Sequence, residues 1–156
     1  MAKIRIVPLI VSFVIVILVA FIGSLFTSSS TSSSWYQQIK PSITPPNFVF
    51  PIAWTTLFVL IAISLYLAWT NSKNKEDRQK VALVFGINLV LNVLWSLFFF
   101  YLRNPLLGFI EIIFLWASIW MMISVTRKIN KTSMWLLVPY LVWVAFAAIL
   151  NLLAFI

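Results

Sequence analysis

Long apolar runs alternate with short polar breaks along the chain. The runs lie at about 6–26, 47–70, 81–102, 105–127 and 134–155. Each is long enough to cross a hydrocarbon core of about 30 Å at 1.5 Å per residue. In lipid the backbone must satisfy its own hydrogen bonds, so continuous apolar runs predict helices, not the alternating pattern of a barrel. The breaks are a serine- and proline-rich segment at 27–46, the charged stretch NSKNKEDRQK at 71–80, RNP at 103–105 and RKINKTS at 127–133. The pattern predicts an all-α integral membrane protein, a single bundle of five transmembrane helices, with residues 1–156 forming one domain. The odd helix count and the lack of an internal repeat argue against the inverted-repeat plan of many transporters. The first run resembles a signal peptide, but about 20 apolar residues exceed the usual 7–15-residue core, so a retained span is expected.

Composition sharpens this picture. The 156 residues are 63% hydrophobic and 9% charged, where a soluble domain carries about 25% charged residues. There is no cysteine and no histidine, and aspartate and glutamate total three. Disulfides, thiol and histidine catalysis, paired-carboxylate chemistry and a protein-built metal site are therefore not expected. The net charge of +8 comes from residues at the ends of the runs, which points to lipid headgroups and not to nucleic acid. Nine basic residues (Lys3, Arg5, Lys73, Lys75, Arg78, Lys80, Arg127, Lys128, Lys131) fall on one side of the membrane, and Lys40 and Arg103 on the other. The positive-inside rule then predicts a cytoplasmic amino terminus, with the 27–46 loop and the carboxyl terminus outside.

Polar and aromatic residues inside the spans are the candidates for chemistry. Asn88, Asn92, Trp95 and Phe99 form a stripe on the third helix. Pro139, Trp143, Ala147 and Asn151 recur every four residues on the fifth, and Pro51, Trp54, Phe58 and Ile61 share a face of the second. From spacing alone two readings stand: helix packing, or the walls of a ligand cavity. Eight tryptophans, with Ala147 and Ala148 beside large rings, favour concave space for a flat guest. The amides of Asn92 and Asn151 would then orient its polar groups. Trp69 and Trp135 fit an interfacial belt, and Trp116 and Trp120 a lipid- or subunit-facing surface. Glu111, the lone acid within a span, reads as a proton relay or, preferably, as a carboxyl snorkelling to the headgroups or bonded to a neighbouring helix. Proline fixes φ and lacks a donor. KPSITPP at 40–46 therefore reads as a stiff extended cover over the bundle, with the serines of 27–34 letting it move.

Three motifs then carry a family resemblance: W-Y-x-x-I-K-P-x-x-x-P-P from Trp35, closing with Trp54; L-N-x-x-W-x-x-x-F-F from Leu91; and P-Y-L-x-W-x-x-F-A-x-x-L-N from Pro139. With five spans in matching order, the chain resembles the translocator protein or tryptophan-rich sensory protein family (TspO/MBR, peripheral-type benzodiazepine receptors), in its bacterial form. The resemblance implies a five-helix bundle, commonly a homodimer, whose cavity lies under the loop after the first helix. It implies binding of porphyrins, notably protoporphyrin IX as ligand or substrate with no built-in cofactor, and of benzodiazepine-site drugs. It also raises light- and oxygen-dependent porphyrin degradation involving Trp54 and Trp143, which leaves open whether the chain is an enzyme. The implied ligand-binding residues are Trp35, Tyr36, Pro45, Trp54, Phe58, Asn92, Trp95, Phe99, Trp143, Phe146, Ala147, Leu150 and Asn151. The tail NLLAFI lacks the basic residue of the cholesterol pattern found in vertebrate members. Transport of a flat hydrophobe, and a ligand-responsive regulatory scaffold, are the alternatives.

Overall fold

A computed structural model of the chain describes residues 4–156; Lys3, counted above among the amino-terminal charges, lies outside them. Among the described residues six α-helices follow one another: α1 (Ile6–Thr27), α2 (Ser34–Ile39), α3 (Val49–Asn71), α4 (Lys75–Ser96), α5 (Pro105–Ile129) and α6 (Lys131–Leu153). All but α2 are long and apolar enough to cross a membrane.

The spanning helices close into a ring in the order α1, α3, α6, α5, α4 and back to α1. Buried polar pairs tie the ring together. The hydroxyls of Ser64 and Ser133 meet at 2.8 Å between α3 and α6, and each also donates to the other's backbone carbonyl. Such bonds hold membrane helices because lipid competes for apolar faces but not for donors. α1 is the most peripheral span: 17% of its apolar window is buried, against 44% for α4 and α5.

The breaks are shorter than the hydropathy pattern predicts. Residues 75–80 were expected in a turn, yet α4 begins at Lys75. The side chain of Asn74 accepts from Asp77 N at 2.8 Å, Glu76 and Asp77 occupy the first turn, and Lys80 pairs with Glu76 one turn on. Capping and charges that suit the helix dipole allow a charged helical turn to project beyond the apolar core. The expected 127–133 turn shrinks to Asn130, whose side chain accepts from Ser133 N at 2.8 Å. Asn104, ahead of Pro105 at the first position of α5, caps in the same way.

Two features of the 27–46 segment differ from a stiff extended cover on a loose hinge. Ser34–Ile39 form α2, capped by Ser33, whose side chain accepts from Tyr36 N. The serines are hydrogen-bonded: Ser30 is buried and its Oγ donates to Phe100 O at 3.1 Å, while Ser33 Oγ donates to Ser30 O at 2.6 Å. Serine and threonine hydroxyls satisfy nearby backbone groups, so this run builds the lid's stem.

A further departure lies at the end of the third span. Leu97–Tyr101 form a π-turn, closed by Leu102 N donating to Leu97 O at 2.9 Å. The reversal that follows passes through Arg103 at φ 51°. The wider turn lets the adjacent rings of Phe99 and Phe100 both lie buried.

Candidate ligand cavity

Beneath the lid is a cavity of about 370 Å³, walled by α1, α3, α4 with its π-turn, and α6. This is within the usual range of a small-molecule site, about 300–1,000 Å³. No lining side chain carries a charge.

The walls are aromatic. Trp54 on α3 faces Trp95 on α4, with ring centres 6.1 Å apart and planes inclined by 31°. Trp95 stacks on Phe99 at 5.8 Å and 16°. Trp143 on α6 meets the edge of Phe50 at 6.0 Å. From the lid, Tyr36 packs against Phe100 and Trp35 against the edge of Phe99. Burial of the Tyr36 phenol pushes its pKa above the ordinary tyrosine value, so it stays protonated.

Ten of the thirteen expected ligand-binding residues line this cavity: Tyr36, Trp54, Phe58, Asn92, Trp95, Phe99, Trp143, Ala147, Leu150 and Asn151. Trp35, Pro45 and Phe146 do not. Trp35 backs Phe99 from the lid, and Phe146 packs beside Trp143. The expected inward stripe of α6 also loses Pro139, which is exposed. Steps of four residues drift by about 40° each in a helix of 3.6 residues per turn, so three steps rotate Pro139 away from Asn151.

The two amides expected to orient a ligand each commit one donated hydrogen bond to the protein. Asn92 Nδ2 donates to the Tyr140 hydroxyl at 3.0 Å, and that hydroxyl donates to Asn88 Oδ1 at 3.3 Å. Asn88 Nδ2 donates on to Ser118 Oγ at 2.8 Å. Asn151 Oδ1 accepts from Trp95 Nε1 at 3.0 Å, and its Nδ2 donates to Pro105 O at 2.8 Å. These chains pin the cavity walls to α5 behind them. Two other lining residues, Trp143 and Thr44, each carry a buried polar atom, Nε1 and Oγ1, with no protein partner.

Glu111 departs from the expected snorkelling or interhelical bond. It sits about 9 Å along α5 from Pro105, on the same face as Gly108, Ile112 and Leu115, all buried. Its side chain is 5% exposed and both oxygens lack a partner. Arg103 is exposed and makes no ion pair with it. Trp116 and Trp120 stack edge to face on the outer side of α5, as expected of a lipid-facing surface. Trp135 is exposed at the start of α6, and Trp69 is half-buried under the Arg78 guanidinium, 5.8 Å from its ring centre.

Sequence reasoning missed the wall contributed by α1, where Ala20, Gly23, Ser24 and Thr27 face the cavity. The signal was present: these small residues gather in the last two turns of a helix otherwise rich in large apolar side chains. Phe100 was missed because a regular helix would turn it away from Phe99's face.

Residues 12–156 match the TspO/MBR family. A tryptophan-rich protein TspO of Archaeoglobus fulgidus is 43% identical over 148 residues, covering 94% of each chain. One from Chlorobaculum tepidum is 37% identical over 133 residues, covering 85% of this chain and 84% of its own. The translocator protein of Homo sapiens is 28% identical over 133 residues, 84% of this chain and 78% of its own.

Proposed function

The chain belongs to the TspO/MBR family, and on that premise we propose that it is a membrane receptor for flat, conjugated hydrophobic ligands, with porphyrins such as protoporphyrin IX as the natural class. Benzodiazepine-site drugs would occupy the same cavity. The observation that carries this reading is the uncharged aromatic chamber itself, with Trp54, Trp95 and Trp143 on three different helices around one space. Aromatic faces bind a planar macrocycle by offset stacking. Trp143 Nε1 and Thr44 Oγ1 are buried without partners, and a small turn of either side chain toward the cavity would let a ligand carboxylate or carbonyl accept from it, which offsets the cost of a buried unpaired donor. The same proposal includes a second copy of the chain as partner, and a photo-oxidative role for Trp54 and Trp143. In that role a light-excited porphyrin passes its energy to oxygen, which adds to the macrocycle, and the two indoles hold the ring.

The test is a protoporphyrin IX titration of the purified protein in detergent. Tryptophan quenching would be followed in the dark, then porphyrin absorbance under illumination in air, beside the Trp54→Phe/Trp143→Phe double variant. Saturable quenching is expected, with bleaching slowed in the variant. Binding with bleaching unchanged in the variant removes the photo-oxidative role and leaves a sensor or carrier. Failure of saturable binding refutes the porphyrin reading.

A further inference from the structure

A second concavity, about 290 Å³, opens on the outside of the bundle at the opposite end of α1 from the lid. It follows the seam between α1 (Pro8, Val11, Ser12, Ile15) and α4 (Ala82, Phe85, Gly86, Leu89), with Leu65 and Trp69 of α3 as its floor. α1 and α4 run in the same direction here, from the 72–74 end of the bundle inward. Val11, Ile15, Ala82 and Gly86 are exposed, so the seam faces the bilayer. From Pro8 to Ile15 it runs about 10 Å. An alanine-sized side chain at Gly86 would touch nothing within 4 Å.

One turn ahead of the seam, on each of its two helices, stands an arginine. Arg78 lies one turn before Ala82 on α4, and its guanidinium sits over the Trp69 ring that closes the floor. Arg5 lies just ahead of Pro8, and its backbone N–H donates to the Tyr66 hydroxyl at 3.1 Å. Both arginines are exposed. Among the described residues the one ion pair is Lys80 with Glu76, so neither arginine has a carboxylate partner.

We propose that this seam is a specific site for an anionic glycerophospholipid. One acyl chain lies between α1 and α4 over Phe85 and Leu89, and the phosphate sits between Arg5 and Arg78. The apolar floor recognises the chain, and the two unpaired guanidiniums recognise the charge, as basic pockets between membrane helices do. A zwitterionic lipid fills the seam but leaves the arginines without net compensation. A second copy of the chain fits less well. A two-fold interface sets the same patch against itself, which would bring like-charged arginines together at headgroup level.

Native mass spectrometry of the detergent-solubilised protein tests this with phosphatidylglycerol and phosphatidylcholine of identical chains. Phosphatidylglycerol should be retained in preference, one per chain. Arg5→Gln and Arg78→Gln should each weaken that preference about fivefold, from roughly 1 kcal/mol per basic residue near the membrane surface. Arg78→Lys should keep it. Gly86→Phe, placed where there is open space, should lower retention of both lipids without unfolding the protein. Equal retention of the two lipids by the parent chain overturns the proposal. So does a preference that survives the Arg5→Gln/Arg78→Gln pair, or Gly86→Phe retaining phosphatidylglycerol as the parent does. A two-chain species lost on Gly86→Phe with lipid retention unchanged would make the seam a contact between copies instead.

Discussion

Adding one methyl group at each of the chain's three glycines should give three different outcomes. In a helix interior, glycine to alanine gains about 1 kcal/mol from propensity alone. At Gly86 an added Cβ meets nothing within 4 Å, so Gly86→Ala should stabilise by about 0.5–1 kcal/mol. At Gly23 the nearest atom is Ser96 Oγ at 3.6 Å, an ordinary contact, and the change should be neutral to slightly stabilising. At Gly108 the new Cβ would lie 2.9 Å from Phe99 Cβ, 3.0 Å from Phe99 Cδ2 and 3.2 Å from Asn151 Oδ1. Carbon atoms pack best at about 3.5–4.0 Å. Phe99 Cβ is one bond from the backbone of the π-turn and cannot swing aside, so α5 must separate from α4 and α6. Overpacking of this kind costs about 1–3 kcal/mol. Net of the propensity gain, Gly108→Ala should destabilise by about 0–2 kcal/mol and fall about 2 kcal/mol below Gly86→Ala. It should also weaken ligand binding, because the displaced groups are the ring that stacks on Trp95 and the amide that accepts from Trp95 Nε1. Unfolding from mixed micelles with rising dodecyl sulfate, followed by circular dichroism, measures all three variants against the parent. A Gly108→Ala protein as stable as Gly86→Ala would refute the close approach of α5 to the cavity wall.

Two other outcomes follow from the same geometry. Glu111→Leu removes two buried oxygens that have no partner, so it should raise stability in that assay by about 1–3 kcal/mol; a loss of stability would mean that the carboxyl is bonded in the membrane. The basic-residue count predicts that a cysteine at Ser29 reacts with an impermeant thiol reagent on intact cells, and that one at Lys73 reacts after permeabilisation alone; the reverse pattern would invert the topology. Ser29 and Lys73 are exposed, whereas their neighbours Ser30 and Ser72 are buried and unsuited to labelling.

Hydropathy determined the number of spans and the fold class, because a lipid-facing backbone leaves a 20-residue apolar run one regular structure to adopt. Their ends were less legible. Asn74, Asn104 and Asn130 each cap a helix three residues before the N–H they bind, and a hydropathy profile weighs them merely as polar. Much of the cavity could also be read in advance, since Trp54, Trp95 and Trp143 with Ala147 mark inward faces by spacing and size. Tertiary structure decided the rest. It made the Asn92 and Asn151 amides braces of the cavity wall as well as parts of its lining, because their partners Tyr140 and Trp95 come from other helices. It buried Glu111 by fixing which face of α5 meets α4 and α6. It brought in the end of α1 through the lid's folded stem, and it set Phe99 and Phe100 side by side through a π-turn. A linear pattern with a 3.6-residue period cannot encode a local change of that period, nor which of several apolar faces finds a partner and which is left to lipid.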